Sequence, residues 1–316
     1  MINPILSIII ISFNTSEITI NCLKSIFQDK GLKEIPYEII IIDNDSKDDS
    51  VSQIKKLKSS LKIKNFELKI IENKFNGGFG KANNQGIKIA NGNYVLLLNS
   101  DTIILHSAIS QSLNWLCSHP EVSVCTAQLL NKDKTIQASG GFFPNLLNVF
   151  TWCLNLDDLP LFNKIIKPFH PHTPNFYTHD NFYLKDHQQD WVTGAFMMIR
   201  SSHLKPVSGF DENYFMYGEE VELSYRIKKQ NPKFQTWYLI GPQIIHLGGA
   251  SAQNRIDPLI NEYRGILSFF KKHKSNFQYK VTKHLIKLNA FNRGVIYFIR
   301  GKKNTSSLYF QICSKI

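Results

Sequence analysis

The sequence predicts an α/β fold, a mostly parallel sheet covered on both faces by helices. Three features predict it: strand-length runs that are apolar at every position, helical patterns between those runs, and polar residues placed directly after them. Ile5 to Ile11 is a continuous β-branched run. Thr15 or Ser16 then offers a helix cap, and Ile18, Cys22, Leu23, Ile26 and Phe27 fall on one helical face. Tyr37 to Ile42 reads as a second strand and Asp49 to Leu61 as a helix with Val51, Ile54, Leu57 and Leu61 inward. Leu68 to Glu72 is a third strand, Phe79 to Ala90 a helix, and Tyr94 to Leu98 a fourth strand. From Gly140 to Asp190 the sequence is aromatic and rich in Pro, His and Asn without a clear period, and reads as an irregular insert. Order returns with a strand at Trp191 to Arg200, a helix at Glu219 to Lys229, a short strand at Ile244 to His246 and a helix at Pro258 to Lys272.

Composition narrows the classes. At 316 residues with 43% hydrophobic and 12% aromatic content, the chain can bury a large core, which excludes disorder for most of it. The net charge of +12 is not spread evenly. Residues 263–316 hold 12 of the 37 Lys and Arg and no Asp or Glu, so the 25 basic residues of the body match its 25 acidic ones. The five cysteines, Cys22, Cys117, Cys125, Cys153 and Cys313, show neither a CxxC pair nor ligand spacing, so no disulfide framework or zinc site is expected and a reducing cytoplasmic setting is. Met1 to Ser12 lacks a basic flank and a cleavage site, so neither a signal peptide nor a spanning helix is expected.

Ligands of such sheets bind beyond the carboxyl ends of the strands, which directs attention to Ser12 to Asn14, Asp43 to Ser46, Asn73 to Gly80 and Asn99 to Asp101. Asp43-Asn44-Asp45-Ser46 suits either acceptors for a nucleobase or ribose, or a turn with a helix cap. Asn76 to Lys81 opens a helix with three glycines, which permits either close approach of an anion or a simple turn. Asn99 and Asp101 share a face if the strand continues, and can hold a hard divalent cation whose other positions go to diphosphate oxygens and water. Glu219, Glu220 and Glu222 lie where a helix macrodipole favours negative charge, and Glu222 to Arg226 is an ordinary i,i+4 pair. One of these glutamates, held in a partly dry cleft, can instead remove a proton from a hydroxyl. His246 is either structural or a metal ligand.

The ordered stretches SIIIISFN, EIIIIDNDSKDDS, NGGFGKANNQGI, YVLLLNSDT, WVTGAFMMIRSSHL, GFDENYFMYGEEVELSYRI and HLGGAS resemble the family 2 glycosyltransferases, in particular the bacterial rhamnosyltransferase-like branch that builds cell-surface polysaccharides. The resemblance covers roughly residues 5 to 272. It implies a GT-A fold, inversion at the anomeric carbon, and Mg²⁺ or Mn²⁺ bridging protein and nucleotide diphosphate. Asn99-Ser100-Asp101 corresponds to the DXD motif, with Asp101 as the retained metal ligand and His246 as the family's late histidine. Asp43 takes the place of the base- or ribose-binding aspartate. Asn83 lies in the donor-side segment, with Ser12, Asn14, Asp45, Gly78, Lys81 and Asn99 as further donor contacts. Asp190, Trp191 and Gly194 match the acceptor-side segment, and Glu219-Glu220 the pair whose second member is the general base. Two positions depart from the pattern: Asn99 replaces an Asp, leaving one formal charge fewer on the metal, and Glu220 is one methylene longer than the usual base. The donor is open between dTDP-rhamnose and UDP-hexoses.

Residues 1–272 are thus expected to form the GT-A domain and 273–316 a basic amphipathic helical segment. The basic tail from Tyr263 onward interleaves Lys and Arg with Phe269, Phe270, Phe277, Tyr279, Leu285, Leu288, Phe291 and Phe298, a composition suited to an anionic membrane surface. The expected setting is peripheral, at the inner face of the cell membrane, where family members act on saccharides or lipid-linked saccharides. RNA binding would use the same charges, as would a helix packed on its own core with a solvated basic face; nucleic acid is not the expected partner. Two other classes compete for the whole. A sugar nucleotidyltransferase needs an early GxGTR-type loop that is missing after Ile11, and a non-catalytic nucleotide- or membrane-binding module fits poorly with Asp101, Glu220 and His246 all being present.

Overall fold

The computed structural model describes residues 3–61, 63–156, 165–171, 182–248 and 256–316, with 256–259 described as backbone only. Its first half alternates as expected: β1 (Leu6–Ser12), α1 (Ser16–Phe27), β2 (Tyr37–Asp43), α2 (Ser50–Ser60), β3 (Phe66–Glu72), α3 (Phe79–Ile89) and β4 (Tyr94–Asn99). Next come β5 (Thr102–Leu105), α4 (Ala108–Cys117), β6 (Val122–Leu130), β7 (Ile136–Gln137), α5 (Leu146–Cys153), β8 (His187–Gln189) and β9 (Phe196–Arg200). The chain continues with α6 (Glu219–Gln230), β10 (Gln235–His246), α7 (Ile256–His273), α8 (Asn276–Ile299) and α9 (Lys303–Lys315). The sheet runs β3-β2-β1-β4-β9-β6-β10-β5. It is parallel from β3 to β4 and again between β6 and β10, while β9 is antiparallel to both its neighbours.

Because Ile8 to Ile11 of β1 are all apolar, both faces of the strand can be buried: Ile8 and Ile10 join a core with α1 and α4, and Ile9 joins a second core with Ala82 of α3 and Leu223 and Ile227 of α6. A third core lies outside the sheet, where α5, α7, α8 and α9 gather around Tyr263, Phe269, Phe270, Ile286, Tyr309 and Ile312. Its polar centre is Asn289, whose side chain accepts from Tyr263 Oη (2.6 Å) and donates to the Cys153 carbonyl (2.6 Å). The tail therefore folds onto the body as helices. None of the cysteines is disulfide-bonded among the described residues.

Several expectations need correcting. Only Phe196–Arg200 of the stretch 191–200 is strand; Trp191 makes a single bridge to Gly141, and the backbone at Gly194 lies so close to the Phe79 ring that a Cβ there would sit 2.6 Å from it. Ile244 to His246 is only the end of β10, whose pairing with β6 slips between Leu239 and Gln243, around Gly241-Pro242. The 140–190 stretch is not wholly irregular: α5 enters through a capping box in which Asn145 accepts from the N–H groups of Leu147 and Asn148. Neither Thr15 nor Ser16 caps α1 through its side chain; the Ser16 N–H goes to Asp48 Oδ2 at 3.0 Å. Gly249 to Ser251 of the HLGGAS stretch lie outside the described residues.

A cap of another kind holds α4. Ser107 enters it in the left-handed region without a side-chain bond, and the buried Asp29 supplies the acceptor instead, taking the N–H groups of Ile109 (3.0 Å) and Ser110 (3.1 Å) and the Ser110 hydroxyl (2.6 Å). Asp29→Ala removes the acceptor of the Ile109, Ser110 and Gly31 N–H groups, and denaturant unfolding should show a loss of about 3 kcal/mol. Asp29→Asn should lose less, since a carboxamide oxygen still accepts.

Candidate active site

The parallel register sets the site. Ser12 lies opposite Asp43, and Ile11 lies opposite both Ile42 and Asn99, so β1, β2 and β4 end at one edge. Asp43 is buried; its Oδ2 accepts from the Ser46 N–H (2.9 Å), and its Oδ1 has no partner. The first contact is the turn that Asp and Ser suggested. The second oxygen is an orphan acceptor at a strand end, the kind of atom a ligand donor completes. Asn14, with φ 52°, receives Lys47 N–H on its Oδ1 (2.7 Å) and gives its own N–H to Ser46. Asp45 is ion-paired with the exposed Lys47 at 2.5 Å.

Asn99, Asp101 and His246 meet directly, although not as an extended strand. β4 stops at Asn99 and the chain turns through Ser100 and Asp101 into β5, which pairs with the end of β10 and brings Thr102 opposite His246. His246 Nε2 lies 3.3 Å from Asn99 Nδ2 and 3.3 Å from Asp101 Oδ1. Its Nδ1 lies 2.6 Å from Gln137 Oε1, while Gln137 Nε2 donates to Asn131 Oδ1 at 2.9 Å, which orients the amide. Gln137 thus accepts Nδ1–H, which turns the Nε2 side of the ring toward Asp101 Oδ1 and Asn99 Nδ2. An imidazole whose other nitrogen donates to an acceptor is how metal-binding histidines are oriented, and here the remaining nitrogen lies beside a carboxylate. These residues therefore fit a divalent cation. Among the described residues no group of three His, Cys, Asp or Glu is arranged for a metal, so the protein would supply few ligands and leave the rest to diphosphate and water.

The glycine turn is joined to the glutamates. Gly78 (φ 84°) starts α3; its N–H goes to Asn76 Oδ1 (2.9 Å), its carbonyl accepts from Asn44 Nδ2 (3.3 Å), and the Phe79 N–H goes to the Phe215 carbonyl (3.2 Å). Two of the N–H groups expected to face an anion are thus already bonded to protein. Lys81 Nζ lies 5.1 Å from the centre of the Phe75 ring, and Asn83 is buried and bonded within α3 to the Phe79 carbonyl. From Phe215 the chain reaches Tyr217 and Gly218, both at positive φ (72° and 91°), and then α6. Glu219 is 3% exposed and Glu220 half-buried; each has a carboxyl oxygen, Oε2, without a partner. Burial, with the Glu220 charge beside it, pushes Glu219 well above the usual carboxylate range, and burial raises Glu220 as well.

Glu222 behaves differently from the surface pair expected of it. It is fully buried and bonded by Arg226 (2.7 Å), Lys272 (2.7 Å) and His273 (3.0 Å), which hold its carboxyl below the usual range against the effect of burial. Asp190 and Trp191 are bonded to the stretch just before α5. Asp190 Oδ2 accepts from the Phe143 N–H (2.8 Å) and lines a small polar cavity with Lys167 and Lys228. Lys228 is nine residues further along α6 than Glu219, about 13 Å. Trp191 is buried in the third core beside Val221, its indole N–H on the Phe142 carbonyl (3.2 Å). Gly194 packs on Phe79. Gln137 carries no local motif and emerges only from the fold.

Glu219 gives a measurable consequence. Its folded pKa is raised, so its contribution to stability is complete below the ordinary glutamate pKa of about 4.3 and is lost as pH rises through the folded value. Glu219→Gln should therefore melt above wild type at neutral and alkaline pH, by a margin of about 1 to 3 kcal/mol, and match it in acid. Thermal melts across pH would show this.

Comparison with known proteins agrees with the geometry. The family profile described as "Glycosyl transferase family 2" matches residues 7–204. The chain is 26% identical to Rhamnosyltransferase WbbL of Escherichia coli (strain K12) over 230 residues, 68% of this chain and 75% of that one. It is 29% identical over 86 residues, 27% of each chain, to an N-acetylglucosaminyl-diphospho-decaprenol L-rhamnosyltransferase of Mycobacterium tuberculosis (strain CDC 1551 / Oshkosh). Among solved structures, the mannosyltransferase PcManGT from Pyrobaculum calidifontis, in complex with GDP-Man and Mn²⁺, superposes with a TM-score of 0.56 at 12% identity, covering 99% of this chain and 75% of that one. The fold is the GT-A fold.

Proposed function

The chain belongs to glycosyl transferase family 2, and from that premise we propose that it is an inverting transferase that moves a sugar from a nucleotide diphosphate donor, dTDP-rhamnose or a UDP-hexose, to an acceptor hydroxyl in cell-surface polysaccharide biosynthesis. The observation that carries this reading is the Asn99–Asp101–His246 cluster at the edge where Asp43 keeps an unpartnered oxygen. Asp43 holds the base or ribose, with Ser12, Asn14, Asp45, Gly78, Lys81 and Asn83 shaping the donor side. Mg²⁺ or Mn²⁺ bound by Asp101 and His246 would neutralise charge developing on the leaving diphosphate.

We take Glu220 as the base from its place as the second member of the glutamate pair; its side chain is partly exposed where Glu219 is closed off. Its carboxylate takes the acceptor proton as the hydroxyl oxygen bonds to the anomeric carbon from the side opposite the diphosphate. The bond to the diphosphate breaks, the nucleoside diphosphate leaves, and the anomeric configuration inverts. Burial raises the base toward neutrality, where a carboxylate accepts a proton more readily, so activity should rise with pH through the raised pKa. Asp101→Ala should weaken UDP or dTDP binding measured with Mn²⁺ by thermal shift. Glu220→Gln should keep that binding and lose transfer about a hundredfold; transfer at the wild-type rate would remove Glu220 from the base role.

The acceptor is a saccharide or lipid-linked saccharide, and Asp190, Trp191 and Gly194 shape its side of the cleft. The enzyme works peripherally, from the cytoplasm, on an anionic membrane surface. Supporting this, α8 carries a second apolar face opposite its buried one: Phe277, Leu288, Phe291 and Phe298 are exposed at helical spacing, about 33 Å from Phe277 to Ile299, beside Lys280 and Lys287. No helix among the described residues is long and apolar enough to cross a membrane. In liposome co-sedimentation the protein should pellet with vesicles containing anionic lipid and stay in the supernatant with neutral ones. Changing both Phe291 and Phe298 to Ser should reduce recovery; equal recovery with both vesicle types would count against the surface.

A further inference from the structure

The segment 211–222, which carries both glutamates, is gripped from two sides. On the donor side the Phe215 carbonyl accepts from the Phe79 N–H, and it sits 2.5 Å from where a Cβ on Gly78 would be. On the other side the Tyr217 carbonyl sits 2.5 Å from where a Cβ on Gly265 would be, in the middle of α7. Glycine is disfavoured inside a helix relative to alanine, so its presence there answers a packing demand. The grip matters because Tyr217 is a bulky residue in the left-handed region, a conformation that persists only when its surroundings enforce it.

Seven residues beyond Gly265, and so on the same face of α7, Lys272 staples both ends of the segment. Its ammonium bonds Asp211 Oδ2 (2.7 Å) before the loop and Glu222 Oε1 (2.7 Å) after it, and the neighbouring His273 adds a bond to Glu222 (3.0 Å). The helix thus touches the segment at its start, its left-handed turn and its first helical turn.

We propose that Gly265 and Lys272 are positioning residues for the base: α7 acts as a splint that keeps the Tyr217-Gly218 turn left-handed and so holds the Glu219-Glu220 pair half-sunk at the mouth of the cleft. This rests on the reading of Glu220 as the base. The groups that face the pair are each other, Tyr214 and Tyr217 from the loop, and Glu262 of α7, which faces Tyr217. None of them is altered by the substitutions below.

The test uses the whole chain labelled with carboxyl-¹³C glutamate, the two resonances being assigned with Glu219→Gln and Glu220→Gln. Gly265→Ala must push the Tyr217 carbonyl away, and Lys272→Met releases both ends of the segment. In both variants the carboxyl midpoints should fall toward the ordinary glutamate value, UDP–Mn²⁺ binding should stay within about twofold, and kcat for transfer should drop about a hundredfold with donor KM unchanged. Lys272→Arg, which still reaches two carboxylates, should restore the midpoints. If Gly265→Ala does not fold, the Lys272→Met and Lys272→Arg pair decides the matter. Unchanged midpoints and wild-type kcat would overturn the splint, even with Glu220→Gln inactive. A fully active Glu220→Gln would instead remove the base reading and leave the titrations as a measure of the splint alone.

Discussion

A strand buried on both faces and paired along both edges has only its ends left for polar groups, and β1 is in that position. Leu6 pairs with Tyr37 on one side and Tyr94 on the other, and the three strands keep step until β1 and β2 end at Ser12 and Asp43 and β4 at Asn99. A slip by one residue would turn Ile8 and Ile10 toward the wrong core, so the apolar pattern that stabilises the sheet also fixes which polar residues share its edge. Position at that edge follows from packing, with no separate instruction needed.

Three of the candidate carboxylates are not arranged for stability. Asp43, Glu219 and Glu220 each keep a buried oxygen without a partner, whereas Glu222, one turn from the glutamate pair, is saturated by Arg226, Lys272 and His273. Carboxylates of one helix thus divide into a pair whose ionisation is resisted and one whose ionisation is enforced. The enforced charge anchors α6 to α7. The resisted charges are free for a ligand or a proton.

Much of this was legible in the sequence because β1, β2 and β4 each end in an unbroken apolar stretch with polar residues directly after it. β6 was not, since Ser123, Thr126 and Gln128 interrupt its apolar pattern although all nine residues of the strand are buried. β10 was legible only at Ile244 to His246, because Gly241-Pro242 reads as a break and the structure absorbs it as a slip in register. The meeting of Asp101 with His246 followed from family resemblance, and its geometry, a turn into β5 rather than a longer β4, did not. Gly265 and Gln137 were invisible for a simpler reason: each acts through one long-range contact, with Tyr217 and His246 respectively, and neither contact leaves a local pattern. Asp190 and Trp191 were singled out by resemblance, yet their hydrogen bonds lie inside the insert, to Phe143 and Phe142.

The segregation of charge onto the last 54 residues has a consequence for how copies of the protein treat each other. A body with as many acidic as basic groups has almost no electrostatic repulsion of its own, so in free solution the cationic end keeps copies dispersed. Once that end is neutralised by an oppositely charged surface, the dispersing force goes with it. Copies held there can crowd laterally to a density they would resist in bulk, so the local concentration of enzyme rises without any dedicated contact between subunits.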